Sequence, residues 1–316
     1  MIQHTLEPIR GVENIVWKPA FIERYSQLTD FEIFKKYSLS FLRKSIRVNT
    51  LKQSVTEIQR RLGKDWTLEP IPWCGEGFWI KHHAGRRDIG NTLEHVLGYI
   101  YVQEAASMIP PIVLDVQPHE TVLDLAASPG SKTTQLAAQM NNAGVLIAND
   151  VTGDRIAALG VNLMRIGVAN CVITLGKGER MTGTYDKILL DAPCSGTGTI
   201  RKSISTIEMW NPSMVSRIAM MQKRLLNHAF SLLKPGGTLV YSTCSLEPEE
   251  NEAVVNDLLT NQPSARTQPI TLPIARTKAI QTWNGTIFHP QIENCLRIWP
   301  QDNDTEGFFV AKILKT

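Results

Sequence analysis

The residues best suited to chemistry in this chain are two cysteines and an acid. Asp191-Ala192-Pro193-Cys194 follows the aliphatic run KILL at 187–190, and Thr243-Cys244-Ser245 follows TLVYS at 238–242. A single cysteine is more often a small buried hydrophobe than a nucleophile. Two at the ends of strand-like runs, one with an acid three residues before it, point instead to covalent catalysis by an activated thiol. Carbon 5 of cytosine is an atom that needs such help, because it is too electron-poor to attack a sulfonium methyl group. A thiolate adding to carbon 6 turns the ring into an enamine, and carbon 5 becomes nucleophilic. An acid near the ring N3 would lower the barrier to that addition. Enzymes that methylate amino groups need no thiol at this place and typically carry a polar-Pro-Pro-aromatic loop there.

A second group of residues suits a nucleotide-like cofactor. The run Asp124-Leu125-Ala126-Ala127-Ser128-Pro129-Gly130-Ser131-Lys132 is made largely of small residues that let a ligand approach the backbone, and the helix expected after it offers free N–H groups. A P-loop, Gly-x4-Gly-Lys-Ser/Thr, would need glycine where Ala126 stands and again just before Lys132, where Ser131 stands. A dinucleotide fingerprint would need three glycines where only Gly130 is present. A methyltransferase loop fits better, with a tight turn as the purely structural alternative. Asp150 closes the next strand-like run and can accept both ribose hydroxyls. Its structural alternative is an N-cap for the helix starting near Gly153.

These residues need elements to hold them. The segments 121–125, 145–149, 171–175, 187–190 and 238–242 are short and rich in β-branched and aliphatic residues. Helical spacing joins them at 153–167, through Ile156, Leu159, Leu163 and Ile166, and at 213–233, through Met214, Ile218, Met221 and Leu225. The pattern predicts an α/β domain with a doubly wound, Rossmann-like sheet over 99–316, binding its ligands at the carboxyl ends of the strands. Residues 1–98 mix helical patterns at 19–36 and 55–62 with strand-like runs at 45–49 and 77–80, which predicts a small α+β module. The Pro-, Thr- and Arg-containing stretch at 262–278 reads as a linker.

Composition bounds the partners. The 316 residues, 43% of them hydrophobic, can fill a sizeable core, and the net charge is only +3. Residues 1–95 carry 15 Lys and Arg against 11 Asp and Glu, a basic front end that suits a polyanion, although a solvated surface gives the same excess. Five cysteines with no Cys-x-x-Cys pair argue for free thiols in a reducing cytoplasm and against a zinc site. No run approaches the ~18 apolar residues of a membrane helix. Nothing in 1–10 reads as a targeting segment. A monomer is the default expectation.

DAPCSGTG at 191–198 and KPGGTLVYSTCSLEPEENE at 234–252 resemble the RNA cytosine-C5 methyltransferases, the Sun-type ribosomal RNA enzymes and the NSUN enzymes. SIRVNTLK at 45–52, YVQEAASM at 101–108 and GFF at 307–309 extend the resemblance over nearly the whole chain. The resemblance implies Cys244 as the nucleophile and Cys194 as the second cysteine, which releases the methylated RNA. It implies Asp191 as the acid that contacts cytosine and helps close the cofactor site, and Lys132 as the loop lysine reaching toward it. S-adenosylmethionine would sit against Ala126, Ala127, Ser128, Pro129, Gly130, Ser131 and Lys132, with Asp150 on its ribose and Arg155 in the following helix. The N-terminal segment looks like the RRM-like RNA-binding module often fused to this domain, and RNA, either tRNA or rRNA, would be the partner. Two positions depart from the pattern. Ser131 stands where the loop usually has glycine, which predicts either no positive φ there or some strain. Lys177 stands where the family often has an acid on the adenine amino group, and lysine cannot accept that bond. The rival readings are a catalytically silent RNA-binding or ribosome-assembly factor, and a DNA enzyme with Cys194 as the attacker.

Overall fold

The structure, a computed structural model, describes residues 6–9, 11–12 and 15–316. Its first helical pattern is two helices, α1 (Pro19–Ser26) and α2 (Phe31–Ser38), where the sequence predicts one over 19–36. Asp30 causes the break: its carboxylate accepts the Ile33 N–H at 3.1 Å and caps α2. Their aromatic residues Phe21, Tyr25 and Phe34 pack with Trp210 and Trp299 of the later chain.

A four-stranded antiparallel sheet follows. It contains β1 (Ser45–Val48), β2 (Trp66–Ile71), β3 (Cys74–His82) and β4 (Ile100–Val102) in the order β2-β3-β1-β4, with α3 (Val55–Leu62) and α4 (Leu93–Val96) in the connections. That connectivity is RRM-like. The sheet runs to Val102, so the expected division at residue 98 falls ahead of its last strand. One face, with Ile46, Val48, Phe78 and Ile80, packs on Ile58 and Leu62 of α3.

The large sheet begins after α5 (Ile109–Leu114). Strand β5 (Thr121–Asp124) leads to α6 (Ser131–Gln139), β6 (Val145–Asp150), α7 (Gly153–Ile166) and β7 (Cys171–Leu175). Then come β8 (Tyr185–Asp191), α8 (Ser205–Met209), α9 (Pro212–Ser231), β9 (Leu233–Thr243) and α10 (Glu252–Asn261). The chain closes with β10 (Ala265–Gln268), the hairpin β11 (Thr282–Trp283) and β12 (Thr286–Ile287), β13 (Leu296–Ile298), α11 (Pro300–Asn303) and β14 (Phe308–Lys315). The strand order is β10-β14-β9-β8-β5-β6-β7, with β13 pairing beside β14. Strands β5 to β9 are mutually parallel, while β14 is antiparallel to β9. The stretch at 262–278 is therefore not all linker, because Ala265–Gln268 pairs with β14 as an edge strand. Winding leaves β5 in opposite directions, toward β6 and toward β8, which makes a switch point at its carboxyl end. Apolar clusters fill both faces of this sheet.

Candidate active site

Because β8 and β9 are parallel and paired with Asp191 opposite Ser242, the two cysteine loops leave the same edge of the sheet side by side. The Cys194 and Cys244 sulfurs lie 3.2 Å apart, both partly buried, with Cys244 at the margin of one apolar cluster. Asp191 stands between them and the cofactor loop. Its carboxylate accepts the Ser242 hydroxyl at 2.7 Å and the Lys132 ammonium at 2.6 Å. Lys132 comes from the first turn of α6 and lies 5.5 Å from the centre of the Phe308 ring. Burial opposes its charge, yet Asp191 and the nearby Cys244 sulfur hold its pKa above the usual lysine value. The Cys194 thiol is pushed well up, by its hydrogen bond with Cys244 and then by burial and the charges of Cys244, Glu250 and Asp191. The two thiols are thus unlike: a cation stands beside Cys244, whereas Cys194 faces anions.

The cofactor-loop residues are brought together at the ends of β5 and β6. Gly130, at φ +103°, carries the left-handed turn that opens α6, and a side chain there would press on Leu159. Ser131 is the first residue of the helix, so the predicted strain is absent: the positive φ belongs to the preceding glycine. Ala127 donates its N–H to the Asn149 carbonyl at 2.8 Å, and Asn162 holds the Pro129 carbonyl at 2.9 Å, which ties the loop to β6 and α7. Asp150 accepts the Ser128 N–H at 2.9 Å, the Val151 N–H at 2.8 Å and the Arg155 guanidinium at 2.6 Å. Arg155 also donates to the Ser128 carbonyl at 3.1 Å. Asp150 caps no helix by its side chain, since α7 starts from Thr152. Its side chain is only 3% exposed behind a half-exposed arginine, so a diol reaches it only by moving Arg155 aside.

Some of the machinery is not apparent from the sequence. Ser242, Phe308, the serines after both cysteines and the buried Glu250 all touch the site. The repeated Cys-Ser step in the two motifs was the available signal. Two further carboxyls, the half-buried Glu104 and the buried Glu306, meet where the Glu306 N–H donates to Glu104 at 3.2 Å, and desolvation pushes the Glu104 pKa up. Among the described residues, no group of His, Cys, Asp and Glu could hold a metal ion, and no helix is long and apolar enough to cross a membrane.

A parallel sheet reversing at β5, with a glycine-opened helix and an acid at neighbouring strand ends, defines a Rossmann-like methyltransferase. Residues 111–314 match the family described as 16S rRNA methyltransferase RsmB/F, and residues 18–105 match the N-terminal domain of 16S rRNA methyltransferase RsmF. A tRNA (cytosine(49)-C(5))-methyltransferase of Pyrococcus abyssi is 47% identical over 298 residues, covering 93% of this chain and 95% of its own. Ribosomal RNA small subunit methyltransferase F of Shewanella oneidensis is 44% identical over 283 residues, 87% of this chain but only 58% of the relative. A methyltransferase homologue from Pyrococcus horikoshii superposes with a TM-score of 0.80 at 36% identity, covering 95% of this chain and all of that one. NSun6 from the same organism shares the fold, with a TM-score of 0.80 at 22% identity over 94% and 98% of the two chains. The chain belongs to the RsmB/F family of RNA methyltransferases.

Proposed function

We propose that this enzyme methylates carbon 5 of a cytosine in tRNA or rRNA through a covalent bond between Cys244 and the pyrimidine, taking the methyl group from S-adenosylmethionine. The observation that carries this reading is the placement of two unlike thiols 3.2 Å apart beside the Lys132–Asp191 pair. The residues present suit the cofactor. Gly130 and the small residues before it leave backbone accessible, and Asp150 is a carboxylate for the ribose once Arg155 swings out. Val151 and Leu175, 56% and 62% exposed at the ends of adjacent strands, offer apolar surface to a flat base. Bound there, S-adenosylmethionine supplies an electrophilic methyl group.

The chain's own residues do the rest. Cys244, as a thiolate that has given its proton to solvent, adds to carbon 6 of the ring beside Lys132. Electrons move toward carbon 5 and N3, where Asp191 with its proton-bearing neighbours Lys132 and Ser242 steadies the developing charge. After methylation the carbon 5 proton passes to solvent water, its bonding pair restores the double bond between carbons 5 and 6, and the sulfur–carbon bond breaks, returning its electron pair to Cys244. Cys194, held as a thiol at 3.2 Å, donates a hydrogen bond to that departing thiolate and so aids release. Residues 1–98 with β4 form the RNA-contacting module, and residues beyond them form the catalytic domain.

Cys194→Ala mixed with unmodified RNA and S-adenosylmethionine is expected to give a protein–RNA band that survives denaturant, while Cys244→Ala gives none. The same variants are tested on DNA. A band from Cys244→Ala but not from Cys194→Ala, or a band with DNA alone, would overturn the assignment.

A further inference from the structure

Each cysteine is followed by a serine, and the two serines meet. Ser195 Oγ lies 3.0 Å from Ser245 Oγ. Behind them, Glu250 is wholly buried at the start of the segment leading to α10. One of its carboxylate oxygens accepts the Ser195 N–H at 2.9 Å and the Gln222 side-chain amide at 3.0 Å; the other accepts the Ser245 hydroxyl at 3.0 Å. Gln222 also donates to the Pro193 carbonyl at 2.8 Å, the residue just before Cys194. Tyr241, on β9, fixes the Glu250 backbone by donating to its carbonyl at 2.6 Å. A single carboxylate therefore grips both cysteine loops, one residue past each sulfur. A buried charge is costly unless hydrogen bonds satisfy it, and this one is satisfied by donors from both loops and from α9.

We propose that Glu250 is a positioning residue that sets the separation of the two thiols, so that it governs release of the methylated RNA rather than formation of the adduct. The inference rests on the proposed function above. The Lys132–Asp191 pair that adduct formation needs is held by contacts that Glu250 does not make, and Cys244 is also held through its carbonyl, which accepts the Gly198 N–H at 2.9 Å. Release needs the second sulfur close to the first and carrying hydrogen. Glu250 supplies both conditions: it fixes the loop that bears Cys194, and its charge is one of those that disfavour a thiolate there.

The test is single-turnover kinetics of Glu250→Gln on cytosine-containing RNA, with wild type and Cys194→Ala in parallel. The amide keeps the size but sets an NH2 group against the Ser195 N–H or the Ser245 hydroxyl. Adduct formation is expected to stay within about twofold of wild type while release slows about tenfold or more, so that the denaturant-stable band accumulates. The pH profile of release should also move to lower pH, because removing the anion lets Cys194 ionise sooner. A bracing role alone would slow both steps together and leave the profile in place. That result, or wild-type release, overturns the proposal. Should Glu250→Gln fail to fold, Ser195→Ala replaces it: this variant keeps the N–H bond to Glu250 but loses the serine–serine link. A smaller slowing of release is then expected, and wild-type release would count against the clamp. If Cys194→Ala itself forms no adduct, the covalent reading fails and takes this inference with it.

Discussion

Lys177 is the residue at which this chain departs furthest from what its cofactor asks. It stands exposed two residues past β7, where the Gly176 N–H bonds to the Asp150 carbonyl at 3.0 Å and so brings the turn beside the ribose acid. An ammonium group can donate but cannot accept from an adenine amino group. Lys177→Asp is therefore expected to tighten S-adenosylmethionine binding about tenfold, the effect of one added charge-assisted hydrogen bond. Isothermal calorimetry reads this directly, and an unchanged affinity would mean that a backbone carbonyl already serves the amino group. The candidate site residues were legible in the sequence. Asp191 ends a strand, Cys194 and Cys244 follow strand ends, and Lys132 stands in the first turn of the helix after β5. All lie at the edge where an α/β sheet puts its chemistry, and the structure brings them together. Glu250 was not legible as a partner of Ser195, because nothing in a run of acids indicates which one turns inward.

At the scale of elements, the turn from β5 into α6 carries a titratable group that ties stability to pH. Asp124 ends β5, is 1% exposed and accepts the Thr133 hydroxyl of α6 at 2.7 Å; its other oxygen has no partner among the described residues. Burial raises its pKa from 3.8 to about 7. An acid whose pKa is higher folded than unfolded contributes stability that is complete below about 3.8 and is lost as pH rises through about 7. The melting temperature should fall across that window, by an amount on the order of a few kcal/mol of stability. Asp124→Asn should flatten the fall, leaving the part due to Glu104, which burial raises in the same direction. Thermal melts between pH 4 and 8 check it, and an unaltered slope in the variant would remove Asp124 from the account. The parallel strands and α7 were readable because their aliphatic runs and 3.6-residue spacing are strong signals. The break between α1 and α2 and the strand β10 were not. The first depends on one side-chain cap, and the second on a partner strand that begins at Phe308, with Ala265 pairing to Lys315 near the chain's last residues.

Over the whole molecule, the small sheet has an RRM-like order, but the aromatic part of its outer face is covered. In RRM modules the sheet surface stacks bases on its aromatic residues. Here Ser45, Arg47, Trp79 and Tyr101, on the face away from α3, are all buried against the methyltransferase domain. Arg47 donates to the Thr134 hydroxyl of α6 at 2.8 Å and to the Gln103 side chain at 2.8 Å, and Gln103 bonds Gln135 at 2.9 Å. Trp79 packs edge-on to Trp73 at 5.5 Å, with the Arg43 guanidinium 3.7 Å over its ring. The RNA-binding surface that the family resemblance implied for this module is therefore not its aromatic sheet face. No base can stack on these aromatic residues without separating the domains. Trp79→Ala is then a stability variant: emptying a packed indole site costs about 3–5 kcal/mol and lowers the melting temperature. Its RNA affinity, measured by fluorescence anisotropy well below that melting temperature, should stay within about twofold of wild type, since a lost base stack would cost ~1–3 kcal/mol. A variant that keeps its stability but loses RNA affinity would show that the sheet opens to its substrate, and the two domains would then have to be treated as a clamp rather than one rigid body.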